Sequence, residues 1–203
     1  MKSLLLFCLF LWLAESTSAQ GRFPHPQGHA HNDYEHTRPL YEALQNGFNA
    51  VEADVYLQEG SLLVSHDRPD RQAPTLEKLY LAPLDSLLKV NEGSVYKGYE
   101  ITFYLMIDCK TAAGTYEAIR TAVSRHPLLN CSSMRCPIRI YLSGNRPLTQ
   151  MVQDGYSGLG IDGRPEDVGK GYSSQVMPVI SDHYNNWSTW RATAATWWAR
   201  PTR

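Results

Sequence analysis

Short apolar runs that resemble β-strands alternate with helix-like segments along most of the chain, and this alternation is the strongest constraint on its fold. Apolar residues recur at helical spacing in 75–90 and 116–123, and Leu40, Ala43 and Leu44 form a shorter helical pattern that ends at Gly47. The predicted strand regions are 27–30, 49–56 with 62–65, 101–108, 138–143, 158–162 and 176–181. Strands that alternate with helices form a parallel sheet, so we expect an α/β fold.

Polar residues repeatedly follow the predicted strands. They are His31, Asp54, Asp108, Asn145, Asp162 and Asp182. In a (β/α) barrel the active site is built at the carboxyl ends of the strands, so this distribution favours a barrel over an open sheet. Six strand regions do not close an eight-stranded barrel, which typically needs about 250 residues. We therefore expect a (β/α)8 TIM-type barrel that is incomplete at its C-terminal end.

The N-terminal residues 1–19 predict a secretory signal peptide. Lys2 precedes the apolar run 4–14, and small and polar residues lead to Ala19. The apolar run is about a dozen residues, shorter than the roughly 20 that a membrane-spanning helix needs. We therefore expect a secreted or periplasmic protein without a stable membrane span, in which residues 20–186 form the barrel domain.

The C-terminal residues 187–203 form an atypical tail. Four of the five tryptophans lie there, and no acidic residue follows Asp182. One interpretation is that the barrel continuation is lost near Trp190. The alternative is an aromatic arm that covers the side of the barrel.

Charge and cysteine content narrow the possible partners. The formal net charge is −1 and the cationic residues are scattered, which argues against a nucleic-acid-binding protein. Cys131 and Cys136 are close enough to bridge a short loop, whereas Cys109 lies in an apolar run and is expected to be a buried free thiol. These spacings do not match a zinc site.

Three carboxylates are the candidate metal ligands. Glu52 and Asp54 are two residues apart in a predicted strand, so their side chains share one face of the sheet. Asp108 adds a third acid at the end of the next long strand. Buried acids need a cationic partner, which is either a basic side chain or a metal ion. Carboxylate oxygens suit Mg²⁺ or Ca²⁺, and Lys110 could then contact a substrate phosphate.

Three histidines are the candidate proton carriers. His29 and His31 are two residues apart on an extended segment and are expected to share a face, and His66 follows an apolar run where a turn is expected. One histidine could remove a proton from a nucleophile while another donates a proton to a leaving alkoxide. A dication between such groups is suited to phosphate ester chemistry.

The motifs HAHNDY (29–34), PLYEAL (39–44), VEADV (51–55) and HDRP (66–69) together resemble the phospholipase C-like and glycerophosphodiester phosphodiesterase superfamily. More narrowly, they are similar to an exported branch that includes the fungal altered-inheritance-of-mitochondria protein family. The resemblance implies hydrolysis of a small or phospholipid-derived glycerol- or inositol-type phosphodiester. The residues it implies are His31, or His29, and His66 for acid/base catalysis, and Glu52, Asp54, Asp108 and Asn32 as metal ligands.

Some features depart from this family pattern and leave alternatives open. The HRG sequence common in glycerophosphodiesterases is absent, and Asp108 stands where Glu is common. The H-x-H of His29 and His31 is also typical of amidohydrolases and polymerase-histidinol phosphatases, for which His126, expected on a helix, and His183 are the later candidates. A truncated, inactive binding-only relative is a third possibility. Arg146, in the SGNRP segment, could clamp a phosphate or belong to an ordinary turn.

Overall fold

The described residues form a seven-stranded sheet and several short helices. The computed structural model describes residues 23–130, 133, 135–183 and 186. The strands are β1 (His25–Ala30), β2 (Phe48–Gln58), β3 (Ser61–Val64), β4 (Phe103–Cys109), β5 (Ile138–Gly144), β6 (Leu159–Gly163) and β7 (Val179–Ile180). The helices are α1 (Tyr41–Gln45), α2 (Ala82–Val90), α3 (Thr115–Ser124) and α4 (Leu148–Asp154). Short 3₁₀ turns cover Asp33–Glu35 and Pro165–Asp167.

The sheet is parallel and curls into a half-barrel. The strand order is β1-β2-β4-β5-β6-β7, and each neighbouring pair on this path is parallel. Strand β3 pairs with β2 in the antiparallel direction, outside this path. The carboxyl ends of the parallel strands consequently meet along one edge of the half-barrel.

The two faces of the sheet have different chemistry. Alternate residues of β2 and β4 are buried in the apolar core, among them Val51, Ala53, Val55, Leu105 and Ile107. Helices α2 and α3 contribute Leu84, Leu88, Ile119, Ala122 and Val123 to the same core. Full burial of one such aliphatic side chain contributes about 1.5–3 kcal/mol, so this outer face supplies much of the stability. The concave face carries the intervening residues Glu52, Asp54, Tyr104, Met106 and Asp108.

All the predicted strand regions form strands, but the helices differ from the expected pattern. The segment predicted as one helix over 75–90 begins with a π-helical turn, Glu77–Leu81, before α2. Pro83 has no N–H and cannot bond the carbonyl of Leu79, which explains the irregular start. The sequence pattern does not predict helix α4, because Met151 is its one buried residue. His126, expected on a helix, lies just beyond the end of α3.

The predictions for the two ends of the chain and for the cysteines have different outcomes. The predicted signal peptide 1–19 and the tail 187–203 lie outside the described residues. Within the described part, no helix has the length and apolar character required to cross a bilayer. Cys109 is a buried free thiol, as expected. Cys136 is disulfide-bonded, and Cys131, its expected partner, lies outside the described residues.

Candidate functional site

Three carboxylates converge at the carboxyl edge of the half-barrel. Asp54 pairs with Asp108 in the register of β2 and β4, so both side chains leave the sheet at the same level and on the same face. Glu52 lies two residues before Asp54 and shares that face. Ligand atoms of Glu52, Asp54 and Asp108 all lie within 4.8 Å of one another. Among the described residues, this is the group of acidic, histidine or cysteine side chains that could hold a metal ion.

The charges of this acidic group are incompletely balanced. Glu52 is 6% exposed and Asp54 is 1% exposed. Oε2 of Glu52 and Oδ1 of Asp54 are buried and lack a hydrogen-bond partner. Burial of an anionic oxygen without a partner is costly. Lys110 supplies one positive charge against three carboxylates, so a dication would neutralise the remainder, and the all-oxygen donor set fits Mg²⁺ or Ca²⁺.

Lys110 contacts two of the three carboxylates in the acidic group. Its Nζ lies 3.0 Å from Asp54 Oδ2 and 2.5 Å from Asp108 Oδ2. Burial disfavours the charged ammonium, but the hydrogen bonds to Asp108 and Asp54 outweigh this effect and raise the pKa of Lys110 above its ordinary value. Lys110 is therefore a permanent cation beside the candidate ligands.

His29 and His31 share a face, as their spacing predicts, and on that face both lie close to Glu52. The distances from Nε2 to Glu52 Oε2 are 3.7 Å for His29 and 3.4 Å for His31. The His31 side chain is 73% exposed, whereas that of His29 is 37% exposed. His31 therefore stands at the rim, where it can meet a bound molecule, and His29 lies deeper against the sheet.

His66 lies beside Asp54 and Tyr34, whereas His29 and His31 lie beside Glu52. The Tyr34 hydroxyl donates to Asp54 Oδ2 at 2.8 Å and lies 3.3 Å from His66 Nδ1. His66 Nδ1 is itself 3.3 Å from Asp54 Oδ2. Burial, followed by the hydrogen bond to Asp54, raises the pKa of Tyr34, so its hydroxyl stays protonated. These contacts position Nδ1 of His66, whose side chain is 58% exposed.

A buried aspartate anchors the loop that carries His31. Asp33 is fully buried, and its Oδ2 accepts hydrogen bonds from the Leu40 backbone N–H and from the Tyr80 hydroxyl. Between His31 and Asp33, Asn32 adopts a left-handed backbone with φ of 49°, a conformation that Asn tolerates better than most residues. Asn32 therefore lies on an anchored loop next to His31.

The loop after β5 closes against the end of β4. The Asn145 N–H donates to the Cys109 carbonyl at 2.8 Å, and the Asn145 side chain donates to the Lys110 carbonyl at 3.1 Å. Gly144, the residue before Asn145, has φ of +64° and lies directly against the Asp108 carboxylate. Arg146 follows on the same loop, and its guanidinium donates to the Gly144 carbonyl at 3.3 Å.

The structure thus brings most of the predicted site residues together. The group consists of Glu52, Asp54, Asp108, Lys110, His29, His31 and His66. Asn32 lies on the His31 loop, and Arg146 lies over the adjoining strand ends. Tyr34 and Gly144 also lie in the site, but the sequence patterns predict no role for either residue. Tyr34 belongs to the HNDY motif, which could have indicated its role.

His126 does not join this site. Its Nε2 lies 2.9 Å from Glu77 Oε1, and its Nδ1 lies 3.6 Å from Asp85 Oδ2. Both acids belong to the helical segment Glu77–Val90, not to the strand ends. Later histidine ligands are what an amidohydrolase-type site requires, so the placement of His126 removes one of its two later candidates, His126 and His183.

Comparison with known proteins identifies the family of this chain. A family model described as the AIM6-like phosphodiesterase domain matches residues 23–126. The chain belongs to the AIM6-like phosphodiesterase domain family. The matched segment of this AIM6-like chain contains all the carboxylates and histidines of the site, together with Lys110. Arg146 lies beyond the matched segment.

Several fungal proteins are similar to this AIM6-like chain. Altered inheritance of mitochondria protein 6 of Kluyveromyces lactis is 32% identical over 167 residues, which cover 64% of the chain and 40% of that protein. The corresponding protein of Lachancea thermotolerans is 32% identical over 156 residues, covering 64% and 36%. A homolog from Arthroderma benhamiae is 28% identical over 181 residues, covering 75% and 57%.

The chain therefore spans between 36% and 57% of the length of these three relatives. No solved structure matches it significantly. Family membership consequently rests on sequence, and the geometry of the site rests on the fold described above.

Proposed function

We propose that this AIM6-like chain is a phosphoric diester hydrolase that uses a divalent cation, Mg²⁺ or Ca²⁺, and histidine acid/base catalysis. The observation that carries the proposal is the convergence of Glu52, Asp54 and Asp108 between His31 on one side and His66 on the other. The family match to a phosphodiesterase domain supports the same reaction class.

Glu52, Asp54 and Asp108 would hold the cation through their carboxylate oxygens, and Asn32 is proposed as a fourth ligand. When bound, the dication would offset the negative charge of a phosphodiester and polarise its phosphorus–oxygen bonds. Lys110 would donate to a nonbridging phosphate oxygen, for which its permanent charge is suited. Lys110 would then exchange part of its contact with the acids for contact with the substrate.

His31 and His66 would divide the proton transfers between them. His31, with His29 as the alternative, would take the proton from the attacking hydroxyl, since its ring is exposed at the rim. The contacts of His66 Nδ1 with Tyr34 and Asp54 would place a proton on Nδ1. The other ring nitrogen, Nε2, would then deliver the proton to the leaving alkoxide when the imidazole is charged.

The proposed substrate is a glycerol- or inositol-type phosphodiester, either small or derived from a phospholipid. In such esters a hydroxyl adjacent to the phosphate can attack phosphorus, which expels the alcohol and gives a cyclic phosphate. Water is the alternative nucleophile. The likeness of the HAHNDY, VEADV and HDRP motifs to the glycerophosphodiester phosphodiesterase superfamily supports this substrate class.

We also propose export of the chain and an eight-stranded barrel architecture for the family. The disulfide at Cys136 supports an oxidising compartment, since such bonds are rare in the cytosol. The parallel strand order and the polar residues at one edge support a (β/α)8 barrel, of which the described half-barrel would be part. Mass spectrometry of the protein recovered outside the cell would test cleavage near Gln20.

The decisive experiment measures hydrolysis of bis(p-nitrophenyl) phosphate and glycerophosphodiesters by the purified chain with Mg²⁺, Ca²⁺ or Zn²⁺. His31→Ala is expected to lower kcat/KM at least about 10²-fold, the usual contribution of a positioned acid or base. Glu52→Gln is expected to lower kcat/KM to a similar extent, on the order of 10²-fold, because it removes one charged ligand of the cation. Matched controls are His25→Ala, at the opposite end of the same strand, and Glu59→Gln, which is exposed in the β2–β3 turn.

Turnover with Mg²⁺ or Ca²⁺ that both site variants abolish and both controls retain would support the hydrolase. A folded chain that binds Mg²⁺ by isothermal titration but hydrolyses none of the esters would contradict it. That second outcome would favour an inactive, binding-only relative.

A further inference from the structure

A second charged cluster lies beside the proposed catalytic group and is not used by it. Arg146 and Arg164 are neighbours over the carboxyl ends of β5 and β6. Arg146 donates to the Gly144 carbonyl at 3.3 Å and Arg164 donates to Ser143 Oγ at 3.4 Å, so both side chains reach the same end of β5. Burial, followed by repulsion from Arg164, lowers the pKa of Arg146. Two arginine side chains that lie close together repel each other unless nearby anions neutralise their charges.

Arg164 has such compensation within the chain. Its NH1 donates to Asp162 Oδ2 at 2.6 Å and to Ser181 Oγ at 2.9 Å. Asp162 is buried, and its Oδ2 also accepts a hydrogen bond from Ser143 Oγ at 2.7 Å. Arg164 is therefore held in one position by a buried polar network.

Arg146 lacks comparable compensation. Among the described residues, no carboxylate lies within ion-pair distance of its guanidinium, although Asp162 and Asp167 influence it at longer range. Its Nε is buried and has no hydrogen-bond partner. Asp167 already forms an ion pair with Lys170 at 2.9 Å. Asp162 and Asp167 are therefore engaged with Arg164 and Lys170, and neither forms an ion pair with Arg146.

The position of Arg146 relative to the catalytic group is fixed. Asn145 ties the loop to the carbonyls of Cys109 and Lys110, immediately after Asp108. Arg146 follows β5, one strand from β4, and Arg164 follows β6, two strands from β4. Neighbouring strands lie about 4.8 Å apart, so the arginine pair lies roughly 5–10 Å from the end of β4. This separation is compatible with a phosphodiester at Lys110 and a second anion, carried on the same alcohol, at the arginine pair.

We propose that Arg146, positioned beside Arg164, binds a phosphomonoester group on the alcohol portion of the diester substrate. A phosphomonoester carries more than one negative charge at neutral pH and has three acceptor oxygens, which suits a guanidinium fork. The inference rests on the proposed function for the identity of the scissile bond. It adds a preference for substrates that carry a second phosphate.

The kinetic test compares two matched substrates, glycerophosphoinositol and glycerophosphoinositol 4-phosphate, in the presence of Mg²⁺. Arg146→Gln is expected to raise KM for the phosphorylated substrate at least about tenfold, the loss of one charge-assisted contact, with little change for the other. Arg125→Gln, an exposed arginine at the end of α3, serves as the control. Equal effects on both substrates, or no effect on either, would overturn the inference.

A binding test separates this inference from the proposed reaction. Glycerol 3-phosphate is titrated calorimetrically into the chain with a chelator present, so that no catalysis is required. Arg146→Gln is expected to weaken binding about tenfold, whereas the exposed control Arg125→Gln leaves it unchanged. Binding that depends on Lys110 instead of Arg146, or no binding by the unaltered chain, contradicts the arginine site. Because this binding test requires no catalysis, it tests the arginine site even if the chain hydrolyses no diester.

The Arg146→Lys variant separates loss of the guanidinium group from loss of the fold. It retains the charge but loses the planar fork, so it is expected to bind glycerol 3-phosphate with an affinity between those of the unaltered chain and Arg146→Gln. Thermal unfolding of each variant shows whether the fold is retained. Intermediate affinity in a folded Arg146→Lys variant would support the fork geometry. Unchanged affinity in both Arg146 variants would overturn it.

Discussion

Gly144 lies so close to Asp108 that a Cβ on Gly144 would come 2.1 Å from Asp108 Oδ1. The same Cβ would lie 2.7 Å from the Cys109 carbonyl oxygen, which belongs to the backbone. Movement of one side chain therefore cannot relieve the overlap. The absence of a side chain at position 144 allows the third candidate ligand to point into the acidic group.

Gly144→Ala is expected to destabilise the chain by about 3 kcal/mol and to weaken Mg²⁺ binding, because overlap adds to the strain of a positive φ. Gly98→Ala is the matched control, since Gly98 has φ of +82° but nothing within 4 Å of the place that a Cβ would occupy. The control is expected to lose about 1 kcal/mol, with metal affinity unchanged. Urea unfolding and calorimetric titration provide both measurements. Equal losses in the two variants would contradict the role of the close approach.

Lys110→Met is expected to tighten Mg²⁺ or Ca²⁺ binding while it impairs hydrolysis. The ammonium contacts Asp54 and Asp108, so its removal leaves more negative charge for the cation. We expect the metal dissociation constant to fall by roughly tenfold and kcat/KM for phosphodiesters to fall by about 10²-fold. Lys97→Met, at an exposed position, is the control. Weaker metal binding in Lys110→Met would show that Lys110 organises the acids instead of competing for them.

Part of this site follows directly from the sequence. Strand alternation requires Glu52 and Asp54 to share a face, and the same argument places His29 and His31 together. Both pairs behave as expected, with His29 and His31 facing Glu52. Asp108 joins them because the ends of parallel strands meet at one edge, where it pairs in register with Asp54.

Other features depend on the tertiary structure and could not be predicted. Tyr34 lies 20 residues from Asp54 and 32 from His66 in the chain, and a loop conformation brings its hydroxyl between them. The contact of Gly144 with Asp108 depends on the register of β4 and β5, in which Cys109 pairs with Gly144. Hydrophobic periodicity does not specify the positions of single atoms in such a register.

Cys109 is expected to resist alkylation in the native protein over the pH range in which the chain would work. Burial, followed by the nearby Asp108 charge, raises the pKa of the Cys109 thiol to about 12. At pH 8 the thiolate is then about one part in 10⁴, and the thiolate is the reactive form. Peptide mapping after iodoacetamide treatment should find Cys109 unmodified natively and modified in guanidinium chloride. Rapid native labelling would contradict the closed packing around β4.

Tyr34→Phe is expected to lower kcat about tenfold with little change in KM, since it removes one hydrogen bond from between Asp54 and His66. Asp54 retains its contact with Lys110, so the fold and the metal affinity should persist. The ¹⁵N shifts of the His66 ring provide a second measurement, because loss of the Tyr34 oxygen frees Nδ1 to change its tautomer. Tyr41→Phe, at an exposed position on α1, is the control. An unchanged kcat together with an unchanged tautomer would mean that Asp54 alone orients His66 and that Tyr34 packs beside it without a positioning role.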